Sequence, residues 1–334
     1  MDRIGGSLYG LAFGDALGKP TEFLTVAEID EQFGPAGPDD LEGDPALFTD
    51  DTQMALAVGW ALHDAVDLTP DALEPQLRKR FVAWAHSPEN DRAPGMTCLR
   101  AVGGLAEGMP WVEATVAGSK GCGANMRVTP VGLIPGLDLD VLAGVSQLQA
   151  AMTHGHPTAL AASELTAYAT RLVVDGCALA DVPGKLLARC ADQREIYRED
   201  WLGALWRSPG ATTPADFIAR GWDECKAVLE HLVAALARPD DGLDASLATG
   251  EGWIAEEALA SGLYCAVRHA DDPVRSIVRG ARTSGDSDSI AAIAGAFVGA
   301  AHGLDAWPSD WVDRIEHTDE LAALASHLRG NDGN

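Results

Sequence analysis

Two rows of glycine at helical spacing constrain this chain more than any other feature: Gly6, Gly10, Gly14 and Gly18 near its start, and Gly295, Gly299 and Gly303 near its end. Glycine costs roughly 1 kcal/mol relative to alanine inside a helix. Placed every fourth residue, it makes sense as a smooth ridge against which another backbone can sit. The G-x-x-x-G spacing also occurs in membrane-spanning helices, but these segments are too short and interrupted to cross a bilayer. Close packing of buried helices is the expectation.

Helical periodicity dominates elsewhere. Met54, Ala57, Val58, Ala61 and Leu62 recur at three-four spacing, as do Ile290, Ile293, Ala294, Phe297 and Val298. Residues 143–174 and 255–267 are Ala/Leu-rich with few breakers, and period-two runs rich in β-branched residues are scarce. The fold class expected is all-α. Breaks fall at 33–45, 87–95, 116–123, 207–214 and 238–252, none resembling a flexible interdomain linker, and the acidic tail after Arg329 is expected to fray.

Charge narrows the partners. Against 24 basic residues stand 50 acidic ones, a formal charge of −26. Such a surface repels nucleic-acid backbones and anionic membranes. An anionic small ligand needs local cations or helix N-termini to offset the field. The six cysteines are scattered without a C-x-x-C pair, which fits free thiols in a reducing compartment. No signal-peptide pattern opens the chain, so a cytoplasmic location is expected.

Two acidic clusters carry the chemistry. Phe48-Thr49-Asp50-Asp51-Thr52-Gln53 directly precedes the Met54 helix, and Thr283-Ser284-Gly285-Asp286-Ser287-Asp288-Ser289 directly precedes the Ile290 helix. Asp50 with Gln53 has the spacing of a capping box. Capping accounts for one aspartate, but adjacent carboxylates repel unless a cation lies between them. Each cluster offers two carboxylates and a hydroxyl, oxygen ligands that suit hard divalent cations such as Mg2+ or Mn2+. Spacing alone leaves open whether the two helix starts meet. Glu22 follows the glycine ridge at a turn near Pro20, and by itself reads more readily as a solvated loop residue than as a ligand. Asp15 lies within the ridge and needs a buried partner, a backbone N–H or an arginine. Gly121-Cys122-Gly123-Ala124-Asn125-Met126-Arg127 is a glycine-rich turn that lacks the pattern of a dinucleotide fingerprint, yet its free N–H groups could cradle a phosphate. Thr153-His154-Gly155-His156-Pro157 interrupts the Ala-rich helical region, either as a plain turn or as a ligand-lining one.

Taken together and in this order, these segments resemble the ADP-ribosylglycohydrolase family, which includes ADP-ribosylarginine and ADP-ribosylserine hydrolases and the enzyme that reactivates dinitrogenase reductase. The pairing of F-T-D-D-T-Q-M with S-G-D-S-D-S-I-A-A-I is the most specific element, and Pro94-Gly95-Met96-Thr97 is a further landmark. The resemblance implies a compact, orthogonal multi-helix bundle with a binuclear metal site, a single domain over 1–330. Thr49, Asp50, Asp51, Asp286, Asp288 and Ser289 fall on its metal-ligand positions, with two divalent cations, Mg2+ or Mn2+, as cofactors. Ser289 stands where many relatives carry threonine. Glu22 falls on a glutamate that approaches the metals. Gly123 and Ala124 fall on the loop near the diphosphate and ribose, with Asn125 and Met126 in the same signature, and His154 on a ligand-contacting histidine.

The implied reaction is hydrolysis at C1″ of ADP-ribose attached to a protein side chain or a small acceptor. The cations would bind the ribose 2′- and 3′-hydroxyls, and Glu22, Asp50, Asp51 or Asp288 would take a proton from the attacking water. Two alternatives stand beside it: a non-catalytic ADP-ribose-binding relative, and a two-metal hydrolase of the diphosphate, which would release AMP. A nucleic-acid substrate is disfavoured by charge, no membrane partner is expected, and the chain is expected to be monomeric. The acceptor is not legible.

Overall fold

The N-terminal glycine row lies on one helix, Arg3–Gly18, which begins where the Asp2 carboxylate accepts the N–H of Gly5 (2.9 Å). The second row lies on the helix Ser287–His302 and its Gly303 cap. In the computed structural model, which describes residues 1–207, 210–240 and 242–330, these two helices pack more extensively on each other than any other pair. A Cβ at Gly6 would strike the backbone of Gly299, one at Gly10 that of Gly295, and one at Gly14 that of Ala291. The seam is therefore antiparallel, and its backbones approach as only residues without side chains permit. The Ser7 hydroxyl adds a bond across it to the Ala296 carbonyl (2.9 Å).

Around this seam the architecture is all-α. Among the described residues strand-type pairing is confined to isolated bridges. The helices that shape the site are Asp50–Asp64, Leu139–Ala151, Pro157–Val174, Pro214–Leu236 and Ala255–Arg268. Residues 143–174 thus divide at 152–156, where Pro157 opens the second helix in the N1 position that tolerates its missing N–H. One cluster of buried apolar side chains runs from Ile4 to Leu328. Within it Phe13 meets Trp307 and Trp311 edge-on at 5.4 and 5.7 Å, and each such buried aromatic side chain contributes on the order of 2 kcal/mol. No described helix is long and apolar enough to cross a membrane. The breaks at 207–214 and 238–252 include residues 208, 209 and 241, and the tail expected to fray includes 331–334; these lie outside the described residues.

The capping-box expectation at Asp50 is corrected. Thr49 is the N-cap, its hydroxyl accepting from the Asp51 N–H at 3.3 Å, and Asp50 is already helical. The Asp50 carboxylate accepts instead from the Gly95 N–H (3.2 Å). Gln53 turns away to the Glu89 carbonyl (3.0 Å) and the Trp84 indole (3.1 Å). The carboxylate that sequence spacing assigns to capping is committed to a neighbouring loop.

Candidate active site

The glycine seam ends at the acidic clusters and brings them together. A Cβ on Gly18, the last ridge residue, would collide with the backbone of Asp288. Three residues earlier, Asp15 accepts the N–H of Thr49 (2.8 Å), the N–H of Thr52 (2.9 Å) and the Thr52 hydroxyl (2.6 Å). The buried partner that Asp15 requires is thus the N-terminus of the Asp50 helix. One helix holds both acidic starts, and the Thr49 hydroxyl spans them by donating to Asp288 Oδ2 (3.3 Å).

Two loops complete the acidic side. The Phe23 N–H donates to the Gly285 carbonyl (3.1 Å), and the Asp286 N–H to the Glu251 carbonyl (2.9 Å). Gly285 has φ +103, and a Cβ there would meet Glu251, so only glycine permits this approach. Glu22, Asp286 and Asp288 each place a carboxylate oxygen within 4.8 Å of the others. With Asp50, Asp51 and Ser289 they line a cleft of about 340 Å³.

The opposite wall is stitched by backbone bonds. The Val116 N–H donates to the Thr153 carbonyl (3.0 Å), the Cys122 N–H to that of Trp253 (3.0 Å) and the Ala255 N–H to that of Lys120 (2.9 Å). Gly121, Cys122, Gly123, Met126 and His154 face the cleft. Ala124 and Asn125 are fully buried and do not line it. They hold the wall from behind: the Ala124 carbonyl accepts from Gln149 Nε2 (2.9 Å) and Ser163 (3.2 Å), and Asn125 Nδ2 donates to the Ala255 carbonyl (3.1 Å).

Among the described residues no lysine or arginine lines the cleft. Burial raises every acid in it. Glu22 is pushed up to about 9, first by desolvation and then by the charges of Asp288 and Asp50. Asp50 rises to about 8 and Asp15 to about 6, again chiefly by desolvation. Asp51, Asp286 and Asp288 rise for the same first cause. His154 moves the other way, down to about 3, through burial and the nearby Arg127 charge. Asp51 Oδ1 is buried without a hydrogen-bond partner. An all-oxygen donor set with an orphaned buried carboxylate oxygen and no internal cation fits one or more hard divalent ions.

Comparison with known proteins agrees with this arrangement. The family model described as ADP-ribosylglycohydrolase matches residues 1–334. The chain belongs to the ADP-ribosylglycohydrolase family. It is 30% identical over 352 residues to the uncharacterized protein YegU of Escherichia coli K12, covering 98% of this chain and 97% of that one. It is 26% identical over 338 residues to the ADP-ribosyl-[dinitrogen reductase] glycohydrolase of Rhodospirillum rubrum, covering 97% of each. A solved structure titled as an ADP-ribosylglycohydrolase-related protein complex matches at TM-score 0.68 and 25% identity, over 99% of this chain and 98% of that one. Membership supports ADP-ribosyl glycohydrolase activity.

Sequence reasoning missed the mouth of this ADP-ribosylglycohydrolase cleft. Phe23, 66% exposed and at φ +69, stacks on Trp253 with ring centroids 5.3 Å apart and planes 20° from parallel. Met96 stands beside the same opening, 77% exposed. The available signals were faint: an aromatic directly after Glu22, and a Gly-Trp pair ahead of the Ala255 helix.

Proposed function

We propose that this ADP-ribosylglycohydrolase is a divalent-metal-dependent hydrolase of the bond at C1″ of ADP-ribose conjugates. The observation that carries the reading is the convergence of five carboxylates, from Glu22, Asp50, Asp51, Asp286 and Asp288, in one cleft without a cationic side chain. Buried like charges at this density require an external cation or protonation.

Thr49, Asp50, Asp51, Asp286, Asp288 and Ser289 are the residues we assign to holding two cations, Mg2+ or Mn2+. Bound there, the ions supply the missing positive charge and Lewis acidity toward hydroxyl and water oxygens. The chain's own groups do the rest. A carboxylate oxygen of Glu22, Asp50, Asp51 or Asp288 accepts the proton that the attacking water loses. The remaining carboxylates favour the positive charge that develops at the anomeric carbon in an oxocarbenium-like transition state. Gly123, Met126 and His154 form the wall against which the nucleotide part lies, and Ala124 and Asn125 fix that wall's shape. The apolar core continuous from Ile4 to Leu328 supports reading 1–330 as one domain. The acceptor, a protein side chain or a small molecule, meets the cleft at the rim of Phe23, Met96 and Trp253.

The test is a panel of defined ADP-ribosylated proteins and small conjugates, incubated with Mg2+, Mn2+ or EDTA, with products identified by mass spectrometry. The reading expects free ADP-ribose in the metal arms and none with EDTA. AMP as the product, or turnover indifferent to EDTA, overturns it.

A further inference from the structure

Arg127 belongs to the glycine-loop signature but takes no part in the chemistry above. It is fully buried, and among the described residues it has no carboxylate partner. Its Nε donates to Gln149 Oε1 (2.7 Å) and its NH2 to the Gln149 carbonyl (2.6 Å) and to Thr153 Oγ1 (2.8 Å). Its Nη1 donates to the sulfurs of Met54 and Cys98, both at 3.6 Å, and the guanidinium lies 4.4 Å from the Phe81 ring centroid. Its hydrogen bonds all go to neutral groups, and burial outweighs the favourable charge of nearby Asp50, so holding a cation here is costly. Its contacts indicate what that cost maintains.

One branch runs through Gln149, whose side-chain amide donates to the Ala124 carbonyl and so braces the glycine loop. The other runs through Thr153, whose Oγ1 also lies 2.8 Å from His154 Nδ1. The threonine hydroxyl has a single hydrogen. With Arg127 donating to its oxygen, that hydrogen goes either to His154 Nδ1 at 2.8 Å or to the Ala150 carbonyl at 3.4 Å. The second distance is long for an O–H···O bond, so the shorter contact favours the hydrogen directed at Nδ1. A neutral imidazole that accepts at Nδ1 carries its proton on Nε2. The low pKa of His154 agrees with a neutral ring. The Nε2 edge faces the glycine loop, where a Cβ on Gly121 or Gly123 would come within 3.4 or 3.5 Å of Nε2. Glycine at both positions keeps that edge open toward the cleft.

We propose that Arg127 and Thr153 are positioning residues that hold His154 as the Nε2-protonated neutral tautomer, a hydrogen-bond donor to an acceptor oxygen of the bound nucleotide sugar. The ligand half of this proposal rests on the cleft reading above; the tautomer does not. In this form His154 has no free lone pair directed at the cleft, so it is not the general base, and that role stays with the carboxylates.

The experiment is 15N-resolved NMR of the histidine side chains in the full chain between pH 6 and 8, with His154 assigned from its loss in His154→Gln. A pyridine-like Nδ1 and a pyrrole-like Nε2 are expected. Thr153→Val removes the partner of Nδ1 and should move the Nδ1 resonance to that of an unbonded pyridine-like nitrogen with Nε2 still protonated, while Thr153→Ser restores the wild-type pattern. Calorimetry with ADP-ribose and Mn2+ should show affinity reduced about tenfold in Thr153→Val, the size of one lost hydrogen bond, and recovered in Thr153→Ser. A wild-type ring protonated at Nδ1, or a Thr153→Val spectrum unchanged from wild type, overturns the relay. Failure of wild-type protein to bind ADP-ribose overturns the cleft reading and the ligand half with it, whereas the spectrum decides the tautomer either way.

Discussion

Glu164, in the Pro157–Val174 helix, and Asp51, Asp286 and Asp288, in the cleft, are carboxylates with almost no exposure to solvent. Glu164 is surrounded by its own cations: Arg189 Nε donates to Oε1 (2.9 Å), Arg198 approaches Oε2 at 3.5 Å, and Gln147 Nε2 donates to Oε2 (2.7 Å). The cleft acids have threonine, serine and backbone partners but no guanidinium or ammonium among the lining residues. The contrast separates two uses of buried acid. Where the sequence supplies the counter-charge, the carboxylate ties helices together. Where it withholds the counter-charge, in an open cavity, the carboxylates are the ones we propose hold an ion from solution.

The sharpest way to break this comparison is Asp288→Asn. Asp288 stands where both acidic segments meet, so its loss should reduce Mn2+ affinity in calorimetry and cut turnover together, by about three orders of magnitude, or roughly 4 kcal/mol. Near-normal turnover at micromolar metal would remove Asp288 from the centre. Next in size is a pair of opposite signs, read by denaturant unfolding in EDTA. Glu164→Gln leaves the buried Arg189 guanidinium without a carboxylate, while Arg198 keeps Asp140 at 3.3 Å, and should destabilise the fold by about 3 kcal/mol. Asp286→Asn relieves repulsion among uncompensated acids and should stabilise the metal-free protein by about 1 kcal/mol. If both variants lose stability equally, the two sites do not differ as described. Added Mn2+ should sharpen the pair. At one hundred times its Kd it stabilises wild type and Glu164→Gln by about 2.7 kcal/mol, and Asp288→Asn by far less.

The same contrast explains what the sequence disclosed. The glycine rows were legible because a backbone-to-backbone approach leaves no alternative residue, and the pairs Gly6 with Gly299 and Gly10 with Gly295 follow from that demand. The acidic clusters were legible because two carboxylates ahead of an apolar helix exceed what capping needs. Asp15 was legible as a buried acid in want of a donor. Thr49 as the true cap was not, because the choice between it and Asp50 depends on the Gly95 N–H, 45 residues away. The retreat of Ala124 and Asn125 behind the wall depends on Gln149 and Ala255, and the Phe23–Trp253 stack joins loops 230 positions apart. Local pattern carries the steric and electrostatic demands of one segment, whereas these features are agreements between distant ones.

The remaining test concerns pH, and its sign separates the cleft from the rest of the chain. Folding raises Glu22 to about 9 and Asp50 to about 8, from ordinary values near 4. Between those limits the metal-free folded state binds more protons than the unfolded chain, so stability falls as pH rises. Below about pH 6.5 this trend is opposed, because His154 and His156 are held down near 3 and 4 and resist the proton that the unfolded chain would take. The clean window is therefore pH 6.5 to 8. There, thermal melts in EDTA should show stability decreasing by about 2 kcal/mol per pH unit, between the slopes of one and two protons, because Glu22 and Asp50 both hold protons that the unfolded chain has lost. Asp50→Asn should reduce that slope, leaving the part due to Glu22, and Glu164→Gln should leave it in place. Saturating Mn2+ should reverse it, because metal binding competes with protonation of the same oxygens. A metal-free protein whose stability instead rises across this window would show that its cleft carboxylates are already charged and compensated, and the distinction from Glu164 would fail.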